Sequence, residues 1–331
     1  YTPSQTANGA TIGNWTGTIA AGASLTGKYG DVTLTENWSV LRYEVTFNAN
    51  NGSYSTAPAK AYAQYASKNY YTTSTGSTAY TFSVPTRNGF TFLGYTNKQV
   101  ADSNSNTTAN ASYITYSNGT FTVAKNWDIA AATTLYAVWK NNIVKITLDP
   151  NGGTAGTTTF YYVYNVNKFY TNSTCTTALT SITLPTRAGY TFNGYHGDGT
   201  SGGNVDEQYS MGESGVISSD LYYDIYKDAT LKAWWTNNPY TITYKANGGT
   251  GADQTQSVTY NQSFTTKVKD TFARTGYTFQ GWSTSQTSIA GNYKVANTTY
   301  TYTTVGDTTL FAIWKANRYK VTLDLNGGSQ F

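Results

Sequence analysis

The chain has 331 residues, a formal charge of +4 and only 11% charged side chains, against roughly 25% in an ordinary soluble domain, while 16% of it is aromatic. Aromatic and β-branched residues recurring at regular places argue against disorder, and scattered basic residues with no Lys/Arg run argue against nucleic acid as a partner. Cys175 is the only cysteine, so neither an intrachain disulfide nor a thiolate zinc site can form. No stretch reaches the roughly 20 apolar residues of a membrane span or has the layout of a signal peptide. The missing Met at position 1 suggests a processed chain or a window of a longer one.

Taken in chain order, the first recognisable element is TLTENW at 33–38, a degenerate copy of a string that returns as TLYAVW at 134–139, TLKAWW at 230–235 and TLFAIW at 309–314. Leu, Ala and Trp alternate onto one face of this closing strand, which makes Trp139, Trp235 and Trp314 core anchors. Lys232 in place of an aromatic predicts that the other face is partly wet.

A second string opens at 43. YEVTFNANNG (43–52), VKITLDPNGG (144–153), YTITYKANGG (240–249) and YKVTLDLNGG (319–328) alternate apolar and polar residues with the period of a half-buried strand. Each ends in Asn-Gly or Gly-Gly, which tolerates positive φ and predicts a tight hairpin with a second strand following at once.

Between these two strings lies a third, RNGFTFLGY (87–95), RAGYTFNGY (187–195) and RTGYTFQGW (274–282). Gly89, Gly189 and Gly276 predict a turn into a strand that carries Phe92, Phe192 and Phe279 inward. Gly94, Gly194 and Gly281 predict a bend, a bulge or room for a ring.

From each closing Trp the next first-block strand begins five residues later. The four residues between span at most roughly 13 Å, so successive modules stay close. The chain therefore divides into a partial N-terminal module (1–42) holding only a closing block, three modules at 43–141, 142–238 and 239–317, and a lone first strand at 318–331. Variable lengths between the blocks belong to surface loops.

The ordered set Y-x-V-T-F-x-A-N-G-G, R-x-G-Y-T-F-x-G-W and T-L-Y-A-x-W resembles the Listeria-Bacteroides repeat, the family of the internalin B-repeat, over about 43–317 and both remnants. The resemblance implies an all-β, β-grasp-like sheet module, arranged in tandem as an elongated rod on secreted or surface proteins of bacteria. There it serves as stalk, spacer or interaction module and not as an enzyme, with an extracellular or cell-surface location.

Chemistry has few footholds. His196 is the only histidine and stands in a Gly-rich insert without counterpart in the other copies, and a solvated loop residue is the plainer reading of it. Acidic residues crowd the same insert, so Asp198, Asp206 and Glu207 are the candidates for Ca²⁺, although no D-x-[DN]-x-[DN]-G loop is present. No catalytic residue, cofactor or other metal is expected. The many Asn, Ser and Thr residues account for the N-x-[ST] strings, and most tyrosines fit sheet positions better than sugar platforms.

The ragged ends suggest self-association. Tyr319, Val321, Leu323, Gly327 and Gly328 belong to a strand lacking a partner of its own, which a neighbouring chain's N-terminal remnant could accept, head to tail, into a filament. The alternative is an adhesin whose variable loops contact a host protein or glycan.

Overall fold

The structure, a computed structural model, describes residues 2–4, 33–35, 40–197, 208–209, 215–217, 225–287, 293–324 and 326–328. It is all-β: among the described residues the only helix is a 3-10 turn at Thr108–Asn110. The chain forms two compact units, 1–141 and 142–331.

The first unit opens with β1 (Thr2–Ser4) antiparallel to β2 (Thr33–Thr35), so the closing block of the N-terminal segment does not stand alone as its sequence suggested. Thr2 faces Thr35 there as Thr96 faces Tyr136 further on, which makes residues 2–4 the counterpart of the strand that pairs with a closing block. The remaining strands are β3 (Arg42–Asn48), β4 (Ala61–Gln64), β5 (Tyr70–Tyr71), β6 (Phe90–Thr96), β7 (Ile114–Ser117), β8 (Thr120–Val123) and β9 (Thr133–Asn141), in the sheet order β5-β4-β3-β9-β6-β7-β8. The pair at its centre, β3 and β9, is the parallel one, with Phe47 opposite Leu135. Alternation drives the inward residues together: Val45, Ala61, Leu135, Ala137 and Trp139 are all 1% exposed or less.

The second unit repeats this plan twice. Strands β10 (Ile143–Asp149), β11 (Thr159–Val163), β12 (Phe169–Tyr170), β13 (Ala178–Leu179), β14 (Tyr190–Gly197), β15 (Gln208–Tyr209) and β16 (Ala229–Asn237) run in the order β13-β12-β11-β10-β16-β14-β15. They are followed by β17 (Pro239–Lys245), β18 (Gln254–Thr259), β19 (Ser263–Thr265), β20 (Tyr277–Ser283), β21 (Tyr293–Lys294), β22 (Thr299–Thr301) and β23 (Thr308–Ala316). These make a sheet β18-β17-β23-β20-β21 and a separate pair β19-β22. First and closing strands are again the parallel central pair, β10 with β16 and β17 with β23.

The expected tight hairpin does not form. Twelve residues separate Asn48, the end of β3, from Ala61, the start of β4, and β11 and β18 are likewise delayed. The closing tryptophan takes the turn instead. Trp139 Nε1 donates to Ala49 O (2.9 Å) and Asn50 O (3.0 Å), Trp235 Nε1 to Pro150 O (3.0 Å) and Trp314 Nε1 to Ala246 O (2.7 Å). The last glycine of the turn lies under the indole: a Cβ on Gly52, Gly153 or Gly249 would come within 2.5, 2.7 or 3.0 Å of the Trp Cζ2. The chain then bridges to the segment before the Arg-x-Gly turn (Ser53 to Thr86, Thr154 to Thr186, Thr250 to Ala273) before it returns as the second strand.

The second glycine of the middle block makes a β-bulge in every copy, with register shifts at Phe92/Gly94, Phe192/Gly194 and Phe279/Gly281. In the first copy a close backbone approach accounts for the glycine: a Cβ on Gly94 would sit 2.0 Å from Ile114 O. The outer sheet face differs between copies. Val138 is buried against Leu93 of β6 and against Ala111 and Val100 of its own insert, whereas Trp234 at the corresponding place is 47% exposed, beside an exposed Lys232.

Candidate assembly site

The Arg-x-Gly-aromatic turn is built the same way three times. Gly89, Gly189 and Gly276 take φ of 78°, 81° and 77°, and Phe90, Tyr190 and Tyr277 N–H groups donate back to the Arg carbonyl at 3.1 to 3.2 Å. Each guanidinium then lies on the ring three residues on, 3.7 Å for Arg87 over Phe90, 4.0 Å for Arg187 over Tyr190 and 3.9 Å for Arg274 over Tyr277. Positive φ is the reason for glycine: it folds the arginine back over the strand it introduces.

At Gly189 this turn receives the next repeat. Asn238 N donates to Gly189 O (2.9 Å), and Asn238 O accepts from Tyr260 N (2.9 Å). The Tyr260 ring covers the glycine, where a Cβ would fall 2.5 Å from Cδ1, and meets Tyr190 edge-on at 5.4 Å and 81°. Asn237 Nδ2 donates to Tyr260 O (2.8 Å), Asn261 Nδ2 to the Tyr190 hydroxyl (3.3 Å), and Thr191 Oγ1 bonds Asn238 Oδ1 (2.6 Å). The glycine thus does two jobs, one conformational and one of clearance.

The same half-joint stands at the end of β23 without a ring upon it. Asn317 N donates to Gly276 O (2.9 Å) and Thr278 Oγ1 bonds Asn317 Oδ1 (2.6 Å), repeating the Asn238 geometry, yet nothing lies within 4 Å of a Cβ placed on Gly276. Beside it runs a groove of about 540 Å³ lined by Thr278, Gln280, Lys315, Ala316, Asn317 and Arg318.

Of the residues the sequence marks for assembly, Tyr319, Val321 and Leu323 are 74%, 79% and 82% exposed. Their segment already carries its turn. Asn326 N donates to Asp324 Oδ1 (2.9 Å) as Asn50 and Asn151 donate to Asn48 and Asp149 (2.8 Å each), with Asn326 and Gly327 at φ of 41° and 86°. No atom lies within 4 Å of a Gly327 Cβ, whereas the Arg187 and Arg274 guanidiniums flank Gly152 and Gly248 at 3.5 Å. Gly328 follows in the chain at the position that Gly52, Gly153 and Gly249 hold in the complete turns.

The anchors sit in three separate cores. Trp139 is 1% and Phe92 6% exposed, while Trp235, Trp314, Phe192 and Phe279 are half-buried. Each Phe meets its Trp at 5.5 to 5.6 Å. His196 packs edge-on against the exposed Trp234 at 4.7 Å, and its Nε2 is buried with no hydrogen-bond partner among the described residues. Asp198, Asp206 and Glu207 lie outside the described residues, and among those described no three His, Cys, Asp or Glu side chains gather to hold a metal. Burial pushes the Tyr80 and Tyr195 hydroxyls up to about 12.

Gly189, Asn238 and Tyr260 escaped the sequence reading as a contact, but they left a trace. Tyr65, Tyr164 and Tyr260 each follow the second strand, and each N–H donates to the carbonyl of the residue immediately before its first strand: Leu41, Asn142 and Asn238. The next residue is left-handed in all three, with φ of 56°, 59° and 55° at Ala66, Asn165 and Asn261.

The family model described as the Listeria-Bacteroides repeat domain matches residues 240–313. Among curated proteins, the chain is 27% identical over 307 residues to a protein of Evansella cellulosilytica named, provisionally, a Gly-rich membrane protein, covering 91% of this chain and 28% of that one. A second protein of the same organism, named provisionally a membrane protein, is 25% identical over 300 residues, with 88% of this chain and 36% of the relative covered. The chain thus spans about a third of the length of these relatives. No helix among the described residues is long and apolar enough to cross a membrane.

Proposed function

We propose that this chain, which carries a Listeria-Bacteroides repeat at residues 240–313, is a structural segment of a bacterial surface protein. Its β-grasp-like modules follow one another end to end as a stalk or fibre that holds other parts away from the cell. The observation carrying this reading is the joint at Gly189: Gly189, Asn238 and Tyr260 fasten one sheet to the next through backbone bonds and a half-buried ring, which serves spacing and stiffness. Repeats coupled only to their neighbours make elongated assemblies. Membrane-protein names among the relatives fit a surface location.

Small-angle scattering on the full chain tests this. An elongated profile is expected, and a radius of gyration near the roughly 20 Å of one compact globule of this length would overturn it.

One observation favours an adhesin as the second reading. The exposed Trp234 with His196 at its edge offers a flat aromatic surface of the kind that stacks on sugar rings. Quenching of tryptophan fluorescence by oligosaccharides, lost in Trp234→Ala, would support it, and no quenching would remove it.

A further inference from the structure

The chain enters each repeat through its first strand and leaves through its closing strand, and these two are the parallel neighbours at the centre of the sheet. Parallel neighbours put entry and exit at opposite ends of one ladder. Tension along the chain therefore slides the two strands past each other and loads the ladder's hydrogen bonds together, whereas antiparallel neighbours would be opened one bond at a time from a shared end. We propose that this pair is a load-bearing clamp, so that each repeat resists stretching as well as setting a distance. The inference rests on the stalk reading and deepens it, naming the force that such a stalk would carry and the residues that meet it.

The clamp is built alike three times. Four residue pairs make each ladder, from Val45 opposite Thr133 to Asn48 opposite Tyr136, from Ile146 opposite Ala229 to Asp149 opposite Lys232, and from Ile242 opposite Thr308 to Lys245 opposite Phe311. Past the ladder, an asparagine of the turn reaches across to the closing strand. Asn50 Nδ2 donates to Ala137 O (3.0 Å), Asn151 Nδ2 to Ala233 O (2.9 Å) and Asn247 Nδ2 to Ala312 O (2.9 Å). These residues hold φ of 48°, 45° and 51°, a conformation that asparagine tolerates better than most side chains.

The closing tryptophan ties the same turn from two residues further along its strand. Sliding the first strand back and the closing strand forward lengthens both side-chain ties together with the ladder. Water is kept from the inner face of the pair, since Val45, Leu135, Ile146, Leu231, Ile242 and Leu310 are at most 1% exposed. On that side no solvent group stands ready to replace a stretched bond.

Single-molecule pulling on the full chain tests the clamp by direction. With Cys175→Ser removing the native thiol, Leu41→Cys and Lys140→Cys place handles just before β3 and near the end of β9. Leu41→Cys with Ala132→Cys places both handles at one end, where β3 and β9 begin. The first arrangement shears the pair and the second peels it. Rupture force reads the unfolding barrier and not the equilibrium stability, so a pair that merely stabilises the fold gives no preference for direction. The shearing force should exceed the peeling force about twofold or more, because four residue pairs share the load in one case and one pair at a time carries it in the other. Asn50→Gly keeps the positive φ and removes the amide tie. It should lower the shearing force and leave the peeling force, which first meets the opposite end of the ladder, unchanged. Equal forces in the two directions, or a shearing force indifferent to Asn50→Gly, would overturn the proposal. The directional difference belongs to one repeat and the scattering profile to the whole chain, so the clamp and the stalk reading can fail separately.

Discussion

The pairing of a tryptophan with the last glycine of a distant turn organises each repeat at the scale of single residues. Trp139 Nε1 reaches two carbonyls, of Ala49 and Asn50, and Gly52 leaves room for the indole above it. Trp139→Ala should therefore cost on the order of 3 to 5 kcal/mol, and Trp139→Phe, which keeps the ring but orphans both carbonyls, about 1 to 3 kcal/mol. Urea titration checks both values. Gly153→Val should destabilise as well, since even its Cβ meets Thr186 O and the Trp235 ring at 2.7 Å. Tyrosines supply the pH dependence. With Tyr80 and Tyr195 held neutral to about 12 in the fold and titrating near 10 when unfolded, the unfolded chain loses protons first as pH rises. Their contribution is intact below pH 10 and disappears between pH 10 and 12, and thermal melting across that range should show a falling transition temperature.

At the scale of elements, the three strings of the sequence are the three strands that make up the centre of each sheet, and their inward residues were legible from period-2 alternation. The bulge was one of three readings the lone glycine of the aromatic strand allowed, beside a bend and room for a ring, and the register shift selects it. Gly94→Ala should destabilise its module, its Cβ being 2.0 Å from Ile114 O, and hydrogen exchange should show β6 and β7 opening more often. The hairpin was misread because Asn-Gly looks alike whether it reverses a strand pair or fits under an indole 90 residues away; local chemistry cannot report that partner. The same limit hid the Tyr260–Gly189 contact. The tyrosine recurs in every repeat, but a ring seated on a glycine more than 70 residues distant has no local pattern. The wet outer face could be read from Lys232, while the dry one around Val138 depends on an insert peculiar to its own repeat.

At the scale of the molecule, the joint within residues 142–331 makes two sheets answer to each other. Tyr260→Ala removes the ring from Gly189, so the two sheets of this unit should unfold in more separated steps by calorimetry than they do in the parent chain. If the chain is, as proposed, a series of structural β modules, pulling one molecule from its two ends should open them one after another. A sawtooth of successive force peaks, each releasing about the length of one repeat, is the predicted trace. A single rip that releases the whole chain at once would contradict it.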